Sequence, residues 1–145
     1  FFLAALDAPD MERQRVSIGT EWEEKAGYSR AVRAGDRVCV SGTTATDEDG
    51  QPLSGTPSEQ TRVALETVAD ALAEAGATIE DVVRTRMYVT DADDWPEIGR
   101  AHSEFFDDVR PAATMVEVAS LIDPDLCVEV EVEAVVDGSR ARQDG

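Results

Sequence analysis

From Val128 to Ala134 the chain reads Val-Glu-Val-Glu-Val-Glu-Ala, and no other stretch constrains the fold as tightly. Successive side chains of an extended strand point to opposite faces. Val128, Val130, Val132 and Ala134 therefore share one side, while Glu129, Glu131 and Glu133 share the other. The first side needs an apolar layer against it. The second needs water, cations or arginines, because neighbouring carboxylates on one face repel. This strand, expected over residues 126–136, follows another apolar run at residues 113–118 across a turn that contains Pro124. The acidic face is where chemistry is first sought.

Upstream, residues 16–19 suit a short strand, and residues 20–27 are polar and acidic with Trp22 as their one large apolar side chain. Residues 28–34 and 37–43 flank Gly35-Asp36, a two-residue hairpin signal, with Val38 and Val40 toward the core and Ser41-Gly42 leaving the strand. Thr56-Pro57-Ser58-Glu59 starts a helix: Thr56 caps it, Pro57 suits the first helical position and Glu59 completes a capping box. Leu65, Val68, Leu72 and Ala75 form its apolar stripe, and Gly76 ends it. Residues 82–90 form the next strand, with Val83, Thr85, Met87 and Val89 on one face and Arg84, Arg86 and Tyr88 on the other. A second helix follows, capped by Asp94 with Glu97 at its third position, and buries Ile98, Ala101 and Phe105. The order ββ, α, β, α, ββ predicts an α+β fold, a mixed sheet with both helices packed on one face. The opposite face, carrying Arg84, Arg86, Tyr88, Glu117 and the three glutamates, suits a subunit interface with a polar cleft.

At 145 residues the chain fits one domain with its own core, expected over residues 16–137. Residues 1–15 are expected outside the fold, with Met11 the more natural start, and residues 138–145 form a flexible tail. The net charge is −18, with Lys25 the single lysine against twelve arginines. That balance is similar to proteins of salt-loving organisms, where molar salt screens carboxylate repulsion. It opposes phosphate contacts, and with no basic patch in the sequence no nucleic-acid partner is expected. No apolar run approaches the ~20 residues that span a bilayer, so no membrane association is expected. Cys39 and Cys127 fall in predicted strands without a disulfide pattern, which favours a reduced, cytoplasmic setting. One histidine and two separated cysteines make no zinc-ligand pattern, and no metal site is expected.

Several short motifs, in order, carry a resemblance. They are Tyr28-Ser29-Arg30-Ala31-Val32, Val38-Cys39-Val40-Ser41-Gly42, Gln60-Thr61-Arg62, Asp81-Val82-Val83-Arg84-Thr85, Tyr88-Val89-Thr90-Asp91, Phe105-Phe106, Arg110-Pro111-Ala112 and Val130-Glu131-Val132-Glu133-Ala134. Together they resemble the RidA (YjgF) family over about residues 16–136. The resemblance implies a chorismate-mutase-like subunit that assembles as a homotrimer with clefts between subunits. It implies hydrolysis of enamines and imines to 2-keto acids and ammonia without a cofactor. Glu131 would orient or activate water, and Tyr28, Ser41, Ala113 and Met115 would line the cleft for a small carboxylate ligand. Deaminase-type members carry an arginine after Pro-Ala that grips the substrate carboxylate; here that residue is Ala113. The asparagine those members often carry in the second helix corresponds to Gly99. Arg86, expected on the face of Glu131, is the candidate to supply the guanidinium instead.

Overall fold

The computed structural model describes residues 12–137, so the expectations for residues 1–11 and 138–145 lie outside it. The elements are β1 (Arg13–Val16), α1 (Glu21–Ala26), β2 (Ala31–Ala34), β3 (Arg37–Thr43), α2 (Pro57–Glu74), β4 (Val82–Val89), α3 (Trp95–Phe106), β5 (Ala112–Glu117) and β6 (Val128–Val135). Single 3₁₀ turns at Ile79–Asp81 and Ala92–Asp94 lead into β4 and α3. The six strands form one sheet in the order β1-β2-β3-β6-β4-β5. β6 runs antiparallel to both β3 and β4, and β5 lies parallel to β4 at the edge. The last two strands are thus not neighbours. Each of α2 and α3 connects two parallel strands, as such crossovers require.

The strict alternation of β6 is realised. Val128, Val130, Val132 and Ala134 are at most 2% exposed, in one apolar cluster with Leu65, Val68 and Leu72 of α2 and Ile98 and Phe106 of α3. Thr56 accepts the Glu59 amide while the Glu59 carboxylate accepts the Thr56 amide, which is the predicted capping box. Both long helices lie on the valine side of the sheet, and burying each Leu or Phe there stabilises the fold by roughly 1.5–3 kcal/mol.

Four local expectations are corrected, and one short helix is added to those expected. The sheet begins at Arg13, inside the stretch expected to precede the fold, because residues 13–16 pair with Ala34 to Ala31. Residues 20–27 hold the short helix α1, which Gly27 ends at φ 75°. Val83 is 48% exposed whereas Val82 is buried. The register between β4 and β6 shifts between Val82 and Arg84, and the extra residue of this bulge turns Val83 outward. In α3 the large buried side chain is Phe106, with Phe105 only partly covered. Asp94 precedes α3 but makes no side-chain cap; Asp91 caps the preceding 3₁₀ turn instead.

Two buried polar contacts tie the layers together. Gln60 of α2 donates to the carbonyl of Asp125 at 2.7 Å and accepts the Cys127 amide at 2.8 Å, joining the segment before β6 to the helix. His102 of α3 bonds Thr85 of β4 at 2.9 Å and packs on Phe106, with ring centroids 4.6 Å apart. Burial holds its pKa below the ordinary 6.5. The folded state therefore resists a proton that the unfolded chain accepts. Stability is expected to fall as pH drops from 6.5 toward about 5.5, above the carboxylate range. Thermal melts of the wild type and His102→Gln check this: the slope should flatten in the variant, and an equal slope would dismiss the effect.

Candidate active site

On the face away from the helices, β4 and β6 set Arg86 directly opposite Glu131, Arg84 opposite Glu133 and Tyr88 opposite Glu129. The alternation of both strands makes this unavoidable once they pair in this register. The side chains then reach diagonally. The Nη1 of Arg86 lies 3.3 Å from Oε1 of Glu131 and 3.3 Å from Oε1 of Glu133. The Tyr88 hydroxyl donates to Oε1 of Glu131 at 2.6 Å. That bond is the leading reason the Tyr88 phenol titrates above its ordinary value, with burial adding to it. Tyr88 thus remains a donor near neutral pH and holds the Glu131 carboxylate by one oxygen. Oε2 of Glu131 makes no hydrogen bond among the described residues, which leaves it free to accept from water.

Across β6, strand β3 is irregular at the same level. Val40 pairs with Val132 and Thr43 with Val130, so Ser41 and Gly42 together face Glu131. The strand runs to Thr43 as expected, and Ser41-Gly42 leave its regular pairing as a bulge. The Ser41 hydroxyl is spent on the Ser29 carbonyl at 2.6 Å, fixing the bulge. Gly42 sits against the Glu129 carboxylate, and a Cβ there would collide with it.

Next to the bulge opens a cavity of about 560 Å³, whose walls include Trp22, Tyr28, Arg30, Gly42, Leu126 and Glu129. Glu129 is pushed up in pKa, first by burial and then by the charge of Glu131, with Arg30 pulling the other way. No group of three or more His, Cys, Asp or Glu side chains among the described residues is arranged to hold a metal ion. No helix among them is long and apolar enough to cross a membrane.

With this geometry in view, the comparisons are decisive about kinship. A family model described as Endoribonuclease L-PSP matches residues 19–136. The chain belongs to the YjgF/RidA family. It is 50% identical over 121 residues to an uncharacterized protein of Streptomyces coelicolor, covering 83% of this chain and 90% of that one. It is 35% identical over 106 residues to the 3-aminoacrylate deaminase RutC of Acinetobacter baylyi, covering 72% of this chain and 83% of that one. The crystal structure of a YjgF/YER057c/UK114 family member from Mycobacterium tuberculosis superposes with a TM-score of 0.78 at 49% identity, covering 86% of this chain and all of that one.

Within one YjgF/RidA chain the expected site residues separate into three places. Arg86 and Glu131 meet, together with Tyr88 and Glu133. Tyr28 stands in the cavity wall, while Ser41 supports the bulge. Ala113 and Met115 register with Thr85 and Met87, so they lie on the helix side of the sheet, across from Glu131. Strand parity alone separates them: from β4 to its parallel neighbour β5, odd positions stay on the buried side. Arg86 is also already engaged by two carboxylates, which weakens its claim to a substrate. Arg30 and Glu129, which line the cavity, were not among the expected site residues. Glu129 stands in the same alternation as Glu131, a signal that was present; nothing in the sequence marks Arg30 as buried.

Proposed function

We propose that this YjgF/RidA protein hydrolyses small enamine or imine acids to 2-keto acids and ammonia without a cofactor, using Glu131 to handle water. The observation that carries this reading is the held carboxylate: Tyr88 and Arg86 fix Oε1 of Glu131, and Oε2 is left toward solvent. A water on Oε2 is positioned as a nucleophile. It adds to the carbon of the protonated imine as its proton passes to Glu131, giving a neutral carbinolamine. Glu131 returns that proton to the nitrogen, and the C–N bond breaks as the remaining hydroxyl gives its proton to Glu131, forming the ketone and ammonia. Glu131 passes this proton to the departing ammonia, which leaves as ammonium, and the residue is ready again. An enamine enters the same route after its carbon is protonated to the imine. The kinship with an Acinetobacter deaminase supports this reading. An endoribonuclease reading, suggested by the description of the family model, is disfavoured by a net charge of −18.

In the proposed assembly, a homotrimer, a neighbouring subunit completes the cleft over the acidic face. The test is ammonia and keto-acid release from freshly generated imino acids of several chain lengths, at high and low salt. Release above the uncatalysed rate is expected. No release from any of them would replace the enzyme with a ligand-binding trimer that has lost the deaminase reaction.

A further inference from the structure

The cavity wall built from residues 18–28 is held to the rest of the molecule only lightly. Between Val16 and Arg30 the chain buries no apolar side chain; Ile18 and Trp22, which line the cavity, are 51% and 52% exposed. The one buried residue in this stretch is Glu23, and its bonds are local. Its Oε2 accepts the Ile18 amide at 3.3 Å and the Thr20 hydroxyl at 3.0 Å. Its carbonyl accepts the Gly27 amide at 2.9 Å and the Tyr28 amide at 3.1 Å. Lys25 pairs with Glu21 one turn away. Among the described residues, no hydrogen bond or ion pair runs from residues 18–27 to the chain outside residues 17–28. A helix as short as α1 is not stable in isolation, and a segment with so few buried contacts belongs to the low end of local stability.

Its two ends are built to turn. Gly19 and Gly27 flank α1, both at φ 75°. A Cβ added at either would meet nothing within 4 Å, so space does not call for glycine there. The left-handed backbone does, and glycine crosses between the two signs of φ at little cost. Rotation at these two points leaves the Thr20 and Gly27 bonds to Glu23 inside the moving body. It breaks only two, the 3.3 Å bond from the Ile18 amide and the 3.1 Å bond from the Tyr28 amide. Closing has an apolar return. Ile122, on the segment before β6, also lines the cavity and is 72% exposed, so it and the Trp22 indole each gain cover by meeting.

We propose that α1 is a lid on the cavity, pivoting at Gly19 and Gly27 to carry Trp22 across the opening onto Ile122. Glu23 is its latch: the two bonds that cross the hinges both end on this residue, and they hold the lid open. Entry to the cavity and exit from it then pass through movement of the lid. The proposal concerns access alone and stands whether or not the cavity serves the imine hydrolysis.

Two measurements on the whole chain test it. Hydrogen exchange reads the hinge: the Tyr28 amide should exchange about 100-fold faster than the amides of Arg30 and Ser41, which bond the Val16 and Arg30 carbonyls. Equal protection overturns the proposal. A cysteine trap reads closure. The chain's two cysteines are first replaced, as Cys39→Ser and Cys127→Ser. Trp22→Cys and Ile122→Cys should then join within one chain on mild oxidation, since a disulfide needs Cα atoms within about 7 Å. Glu23→Ala, added to these, should speed the joining several-fold. No disulfide, or a rate indifferent to Glu23→Ala, overturns the lid. A disulfide between chains also overturns it, because a second copy then covers the rim. Should the cysteine variants not fold, the exchange rates of the wild type decide.

Discussion

Glu131→Gln is expected to lower imine hydrolysis by about 10²- to 10⁴-fold, the usual worth of a positioned acid–base group. Glutamine keeps the shape and still accepts from Tyr88, whose hydroxyl lies 2.6 Å from Oε1 in the wild type. What it loses is the capacity to take a proton from water. The Arg86–Glu131 pair is lost with it, but both side chains are about a third exposed, at 38% and 32%, and Arg86 keeps Glu133. An exposed pair of this kind contributes at most about 1 kcal/mol, so the melting temperature should change little. The measurement is ammonia release by wild type and variant side by side with a thermal melt. A variant that folds and turns over as fast as the wild type would remove Glu131 from the chemistry.

Phe106→Ala should cost about 3–5 kcal/mol of stability, the usual range for a large buried aromatic cut back to alanine. Phe106 is 1% exposed at the end of α3 and is the largest of the fully buried side chains. Its ring packs on His102 and lies 6.5 Å from that of Phe105. Truncation leaves a void under the helix and removes the ring that packs on His102. Phe105→Ala, at a partly covered position, should cost clearly less. Urea unfolding of both variants decides the order. Equal losses, or a larger loss at Phe105, would contradict the placement of α3 against the sheet.

Much of the scaffold was legible in the residues themselves. The valine–glutamate alternation of β6, the capping box at Thr56 and the hairpin at Gly35-Asp36 are each set by neighbours a few positions apart, and each is realised. The expectations that needed correction depend on partners distant in sequence. Val83 turns outward because of a bulge that exists only once β4 pairs with β6. Phe105 and Phe106 both fit a helical stripe, and only the packed sheet chooses between them. The site was legible to the same degree. Period two put Arg86 and Glu131 on one face, and pairing made them partners. That Ala113 and Met115 lie across the sheet, or that Arg30 is buried, follows from topology that no local pattern encodes.

Gln60 gives the cavity an unusual anchorage. Through its amide, the backbone just before β6 is spliced to the first turn of an eighteen-residue helix. Leu126, a wall residue of the cavity, lies between the two spliced backbone groups. That wall cannot peel away alone; it loosens only when the start of α2 loosens with it, so the two behave as one cooperative unit. Other lining residues, Thr46, Gly50, Gln51 and Pro52, belong to a shorter-range structure. There the segment from Thr46 to Pro52 is closed on itself by one isolated bridge and the Asp47 turn. The cavity thus has one wall tied to the core and another formed by a short surface turn.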